Sequence, residues 1–439
     1  MERSSIRRNR VLLISHNSLS LHSNNGKTLN AMFGEWGAEE LAQLYFQEET
    51  PETTHFKRFF RVRDLDILKS LLLLASSCGS PIDPKAKVSS HFEGAGQIKS
   101  LIVDALRKTD SLKLLLRDLL YGTQRWRSRE LLSWLNDFRP DSIFFVGSNS
   151  VFSFKIANEL SAFARAPLDI FITDDYVLHA RPAGVLSRFL NRRLLDTYRQ
   201  AFKKARHVFV IGDDMASEFG CAFNRKFVPV MNAVEFPAVM PRKFATLENQ
   251  QIDVVYAGGL HLGRDQSLVR FAGILKRVSE ISGVPSRLSV YSLQVTPAAL
   301  KKFNDHGVVY GGALSQEALG NRLAKADFVL HVESFEERYV RMTKLSVSTK
   351  LPEYLASGAC LIAYGPSGLA SIRLVENNAI GIALSEQDDE ATLVSKLRPV
   401  FESVDERQRL ALSGFEYARG RFSLDVVRRQ IDCMVNRGC

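Results

Sequence analysis

The sequence has no long apolar run. Apart from a short stretch near the amino terminus, its longest aliphatic segment is Leu71-Leu72-Leu73-Leu74-Ala75, far short of the ~20 residues that a membrane-spanning helix needs. Cysteine is scarce, with five residues at positions 78, 221, 360, 433 and 439 and no Cys-x-x-Cys pair. An odd, dispersed set argues against a disulfide framework and for a reducing compartment. No segment is low in complexity and charged residues make up 24% of the chain, which excludes a mainly disordered protein. The basic start Arg7-Arg8-Asn9-Arg10 precedes Val11-Leu12-Leu13-Ile14-Ser15. That run is too short for the core of a signal peptide and predicts a buried first strand. No group of metal-ligating residues is apparent, and no metal is expected.

What is present is a chain of 439 residues, 45% hydrophobic, with a net charge of +10. The length suits two or three domains, and the charge suits an anionic partner. Short apolar runs alternate with helical stretches. Strands are expected at 10–15, 142–146, 169–173 and 207–211, then at 253–257, 286–291, 307–310, 328–331, 360–364 and 380–384. Residues 65–135 read as mostly helical. Continuous rather than alternating apolar runs indicate sheets covered on both faces, and their alternation with helices indicates parallel, doubly wound sheets. The series breaks once, at two prolines followed by the polar run Glu248-Asn249-Gln250-Gln251. The expected organisation is therefore an α/β domain over 1–235, a linker over 236–252, a second α/β domain over 253–421 and a terminal helix over 422–439. Two such domains are expected to face each other across a cleft at the carboxyl ends of their strands, where open sheets bind ligands.

The strongest motif is Ser348-Thr349-Lys350-Leu351-Pro352-Glu353, followed by Tyr354-Leu355-Ala356-Ser357-Gly358 and the apolar strand Cys360-Leu361-Ile362-Ala363-Tyr364. Ser348 or Thr349 can cap the helix, and proline is tolerated in a first turn. Such a helix start offers backbone N–H groups to an anion, and Lys350 adds a point charge for phosphate. Taken alone, the segment also reads as an ordinary capped helix. A second motif is Val254-Val255-Tyr256-Ala257-Gly258-Gly259, ending at Arg264. Here the glycines let a backbone approach a ligand, although Arg264 equally suits a solvated helix start.

These segments resemble the group-1 family of retaining glycosyltransferases of the GT-B fold, which is built from two Rossmann-like domains. The resemblance covers the second domain from about 253 to 422, and the first by architecture and a few loops. It implies transfer of a sugar from a nucleotide-sugar to a glycan or lipid-linked acceptor, with retention and without metal. The nucleotide-sugar would be a substrate, and no cofactor is implied. Glu353 would bind the donor ribose, Ser348, Thr349 and Lys350 the diphosphate, and Arg264 the charge on the leaving group. Loops at Tyr291 and Gly311 would flank the base. Gly26 and Lys27 would form a loop after the first strand facing the donor phosphates, and Asp174 would lie near a sugar. The family's second glutamate, eight residues before Glu353, is Leu345 here; Glu333, Glu336 and Glu337 lie nearby at other spacings.

Gly26-Lys27-Thr28 is not a P-loop, because the first glycine that motif requires is Leu21. Asp174 and Asp175 could instead cap a turn. The basic stretches 181–206 and 107–129, with Leu186, Phe189, Leu190, Leu194 and Leu195 interleaved in the first, could lie on an anionic membrane or be solvated faces. A cytoplasmic protein is the expectation, peripheral on the inner face of a membrane if these stretches contact one. The alternative is an inert GT-B nucleotide-binding module acting as a subunit or scaffold in glycan assembly. Nucleic acid is not an expected partner, because no recognisable module for it is present.

Overall fold

The computed structural model describes residues 8–21, 24–53, 55–75, 77–84, 110–240 and 251–437. The chain forms two compact units. One runs to Val210 and takes in Ala216–Pro229 and the chain from Arg428 onward; the other takes in Ile211–Met215 and Val230–Val427. The start of the basic stretch at Arg107, and 241–250 of the expected linker, lie outside the described residues.

The first unit holds an eight-stranded sheet of β1 (Val11–Ser15), β2 (Leu41–Tyr45), β3 (Arg58–Arg61), β4 (Ser80–Ile82), β5 (Ser142–Val146), β6 (Leu168–Ile172), β7 (Val208–Val210) and β8 (Val228–Pro229). The order is β4-β3-β2-β1-β5-β6-β7-β8. All neighbours are parallel except the β3–β4 edge pair. The region expected to be mostly helical contains β4 as well as the helices Asp64–Leu71, Asp110–Gly122 and Arg129–Phe138. β2 and β3 were not legible as strands, and the reason is local. β2 reads Leu-Ala-Gln-Leu-Tyr, and its Gln43 is buried. The Gln43 amide donates to Ser15 Oγ (2.9 Å) and Asn17 O (3.0 Å) and accepts from Leu19 N (2.9 Å). A buried polar group is tolerated when its hydrogen bonds are satisfied, and this one ties β2 to the loop after β1.

The second unit holds a six-stranded, all-parallel sheet of β9 (Ile252–Ala257), β10 (Ser286–Tyr291), β11 (Val309–Gly312), β12 (Phe328–Val332), β13 (Cys360–Tyr364) and β14 (Ile382–Leu384). Its order is β11-β10-β9-β12-β13-β14. β12 and β13 are buried along their whole length, as strands covered on both faces must be. The register sets Tyr291 opposite Ala257 and Val332 opposite Tyr364. Parallel pairing thus brings the residues after β9, β10, β12 and β13 to one edge of the sheet.

Cys78, Cys221 and Cys360 are free thiols, whereas Cys433 is disulfide-bonded. No described helix is long and apolar enough to cross a membrane.

The last segment is held to the first sheet by a buried charge. Asp169 on β6 is fully buried. It pairs with Arg206 and accepts from the amide and Nδ1 of His207 at 3.2 and 3.0 Å. Arg206 also donates to the carbonyl of Val435 at 3.2 Å. Breaking a buried pair leaves an uncompensated charge. Asp169→Ala is expected to cost about 3–5 kcal/mol, read by urea denaturation. A loss under about 1 kcal/mol would mean that the pair contributes little beyond a surface contact.

Candidate functional site

The edge of the second sheet gathers most of the residues singled out in the sequence. Gly258 follows β9 directly, and its amide donates to Tyr291 O at 2.9 Å. A Cβ at Gly258 would fall 1.5 Å from Lys350 Nζ. The lysine ammonium therefore occupies the space that any other residue would fill at position 258. It also lies over the Tyr256 ring, 5.1 Å from the centroid. Gly259 makes room in the same way for the His261 ring, and its carbonyl accepts from Tyr256 Oη at 2.6 Å.

Arg264 opens the helix Arg264–Ser282, preceded by Gly263 at φ 71°. Its Nη2 lies 3.3 and 3.1 Å from the two carboxylate oxygens of Glu333, the residue after β12. Both side chains are largely buried. His331, two residues earlier on β12, places Nε2 3.2 Å from Glu333 Oε1 but out of hydrogen-bonding alignment. Glu333 lies outside the motifs read from the sequence. The partners are 69 residues apart, and only the sheet register brings them together.

The charges in this cluster are coupled. Burial opposes the Glu333 carboxylate, but His331 and Arg264 beside it hold its pKa well below the usual carboxylate range. Burial likewise opposes the Arg264 charge, and Glu333 together with Tyr256 and Tyr354 more than offsets it. Burial and the neighbouring Arg264 push Lys350 down to about 8, against the pull of Glu333 and Glu353. Burial lowers the His331 pKa as well, against the pull of Glu333.

The helix carrying Glu353 is short, Leu351–Ala356. The sequence suggested that its first turn would offer free N–H groups, capped by Ser348 or Thr349. The structure corrects this. Lys350 occupies the N-cap position with a helical backbone, and no side chain caps the helix. Leu351 N donates to Ser348 O at 3.1 Å, and Pro352 has no N–H to give. Ser348 Oγ receives only a long contact of 3.4 Å from Lys350 N, and Thr349 O accepts from Asn232 Nδ2 at 3.3 Å. Positive charge at this site is supplied by the side chains of Arg264 and Lys350 rather than by the helix end. Glu353 sits in the first turn, near enough to Lys350 to favour its charge.

Tyr291 and Gly311 stand together, because the missing Cβ of Gly311 leaves room for the Tyr291 ring. The Tyr291 hydroxyl accepts from Arg322 Nε at 2.8 Å, and Arg322 forks onto Asp253 at 2.6 and 2.9 Å. The ring is thus braced within the domain. Leu345 is fully buried.

In the first unit, Gly26 and Lys27 lie in the helix Asn24–Phe33 rather than in a loop. A Cβ at Gly26 would strike Ser18 O at 2.1 Å, so this glycine permits the loop after β1 to close on the helix. Asp174 follows β6 and accepts from Thr173 Oγ1 (3.0 Å) and Tyr176 Oη (3.2 Å). Asp175 is a turn anchor, accepting from the amides of Val177, Leu178 and His179 and from His179 Nδ1. His16, after β1, is bonded to Ser148 Oγ at 2.8 Å, and burial with the nearby Arg117 lowers its pKa to about 3. Among the described residues no group of three His, Cys, Asp or Glu is placed to hold a metal ion.

Comparison with known proteins places the fold. No family model matches the chain, and no curated protein matches it in sequence. Solved structures do match. An α,α-trehalose-phosphate synthase (UDP-forming) from Burkholderia vietnamiensis is 10% identical with a TM-score of 0.59, over 97% of this chain and 99% of that one. WaaG, a glycosyltransferase involved in lipopolysaccharide biosynthesis, is 13% identical with a TM-score of 0.56, over 98% and 100%. A mutant of S. aureus TarM in complex with UDP is 11% identical with a TM-score of 0.54, over 96% and 98%. The likeness is one of fold: the chain has the two-domain α/β architecture of GT-B glycosyltransferases.

A buried lysine with a lowered pKa costs stability while it is charged. Its unfolded form keeps the proton to about 10.5, whereas the folded form loses it near 8. Stability should therefore rise with pH across that window. Lys350→Met is expected to melt a few degrees higher than the parent at pH 7, with the gap closing as pH rises from 8 towards 10. Calorimetric melting at both ends of the window tests this, and a gap independent of pH would contradict it.

Proposed function

We propose that the protein is a glycosyltransferase that moves a sugar from a nucleotide-sugar to a glycan or lipid-linked acceptor, with retention and without a metal. The observation that carries this reading is Lys350 seated at Gly258, with Arg264 near enough to depress its charge and Glu353 one helix turn on. In the proposed reaction the bond from the anomeric carbon to the diphosphate breaks and the diphosphate leaves with the electron pair. Fixed cations in a largely dry site stabilise that developing charge far more than solvated ones would. Glu353 would accept from the ribose hydroxyls. The UDP-forming synthase and the UDP-bound TarM among the structural neighbours support a nucleoside diphosphate as the leaving group.

Donor turnover, followed by mass spectrometry against a panel of nucleotide-sugars, tests the reading. Lys350→Ala and Arg264→Ala are each expected to lower turnover at least a hundredfold, the size of effect that one lost transition-state donor produces. In the parent, nucleoside diphosphate binding should be level up to about pH 8 and weaken above it as Lys350 loses its proton. Near-normal turnover in both variants would sink the proposal. The second reading, an inert nucleotide-binding module, draws on Leu345, which is buried at the position the family resemblance assigns to the sugar. Nucleotide binding without any turnover would favour it.

Peripheral contact with an anionic membrane belongs to the same proposal, and exposed apolar side chains on two helices support it. In the basic helix Val185–Lys204, Leu190, Leu194, Tyr198 and Phe202 are buried against the first unit's own core. Only the first turns leave apolar side chains outside, with Val185 78% and Phe189 57% exposed. Beside them on the helix Asp110–Gly122, joined through Ser111 and Ser187 at 2.7 Å, Leu119 is 59% exposed. Arg188, Arg192 and Lys113 stand in the open around these groups. Apolar insertion combined with a cationic rim is the pairing that binds anionic bilayers. Flotation with phosphatidylglycerol-containing vesicles should retain the parent. Phe189→Ser with Val185→Ser should lose most of that binding while donor turnover in solution persists, whereas equal binding to neutral vesicles would contradict the proposal.

A further inference from the structure

We propose that Glu333 is a positioning residue for Arg264, a built-in counter-anion that fixes the guanidinium and tempers the site's charge so that the nucleoside diphosphate leaves after transfer. The inference rests on the sugar-transfer reading above.

Glu333 is held in place by its backbone. Its amide donates to Tyr364 O at 2.9 Å, and its carbonyl accepts from Ser267 Oγ at 2.8 Å. Ser267 lies one turn after Arg264 on the same helix. The exit of β12 is therefore tied twice to that helix, once by Ser267 and once through the Arg264 ion pair. The carboxylate is 3% exposed and would be costly to bury without a cation.

The pair differs from the fork that Arg322 makes in the same domain. Arg322 gives two different nitrogens to the two oxygens of Asp253, at 2.6 and 2.9 Å, the fork arrangement that makes the strongest arginine–carboxylate pair. Arg264 offers only Nη2 to both oxygens of Glu333. Its Nε and Nη1 have no protein partner among the described residues. A largely buried guanidinium with donors left over is placed to share itself between Glu333 and a second anion. Lys350, the other cation here, is favoured through space by Glu333 and Glu353. Without Glu333 two cations would face the departing diphosphate with one fewer opposing charge, and release would slow.

The test is nucleoside diphosphate affinity (UDP, GDP and ADP) by calorimetry on the full chain at pH 6.5, with donor turnover alongside. Glu333→Gln keeps the shape and removes the charge. It is expected to tighten diphosphate binding about tenfold, the scale of one charge a few ångströms away in a partly screened site, and to lower KM and kcat together as release becomes limiting. A purely structural role predicts the opposite, weaker binding and a higher KM, and that result or unchanged affinity overturns the proposal. Should Glu333→Gln fail to fold, a pair of variants gives the same answer. Arg264→Gln leaves the carboxylate unopposed and repelling, so Arg264→Gln with Glu333→Gln should bind several times more tightly than Arg264→Gln alone; no gain overturns the proposal. A parent that binds none of the three nucleotides removes the sugar-transfer reading itself, and this inference with it.

Discussion

Two cations, Arg264 and Lys350, sit largely out of water at one sheet edge, and the local arrangement follows from keeping them there. Arg264 is held by the Glu333 carboxylate. Lys350 has a weaker hold, with the Tyr256 ring beneath it and carboxylates at a distance. The difference explains why one cation is buffered far above neutrality while the other titrates near pH 8. It also explains two glycines. A side chain at Gly258 would have to displace the lysine head, and the backbone there, at φ 156°, disfavours one. At Gly263 a Cβ would meet Ser334 Oγ at 2.6 Å and Glu336 Oε1 at 3.0 Å.

The sheet makes this concentration of charge possible. A parallel sheet delivers the ends of all its strands to one edge, and its strands are buried on both faces, so their exits can be desolvated without a lid. Glu333 leaves β12 and Gly258 leaves β9, and these strands are direct neighbours in the sheet order. The Tyr354 hydroxyl completes the joint by donating to Ala257 O at 2.8 Å while accepting from Ala257 N at 2.9 Å. The segment that carries Lys350 is thereby locked to the end of β9, and the lysine is set over Gly258 by the backbone as well as by its own rotamer.

Much of this was legible in the sequence where one residue type settles the matter by itself. Ser142–Val146 and Cys360–Tyr364 form strands over the stretches expected of them, because each is a bounded run dominated by apolar and aromatic residues. Leu41–Tyr45 was missed because Gln43 breaks its run, and nothing local shows that the amide finds three partners in a loop upstream. The basic helix was legible as amphipathic, but not in which direction. Leu190 and Leu194 face the core whereas Phe189 does not, a distinction set by the neighbouring helices. Glu333 was invisible as a partner for a more general reason: a pair separated by 69 residues leaves no spacing to recognise.

The helix end shows the same limit in reverse. From sequence, Ser348-Thr349-Lys350-Leu351-Pro352 reads as a capped start with amides to spare. In the structure Lys350 itself takes the cap position, Leu351 spends its amide on Ser348, and proline has none. A six-residue helix also has little dipole to offer, since the effect depends on aligned peptide units and fades within the first turn. An anion site built on so short a helix has to draw its charge from side chains. Side-chain charge, unlike a helix dipole, can be titrated, shared with a neighbouring carboxylate and withdrawn. Under the sugar-transfer proposal, a site that holds a diphosphate while a bond breaks and then gives it up would gain from having its charge in that form.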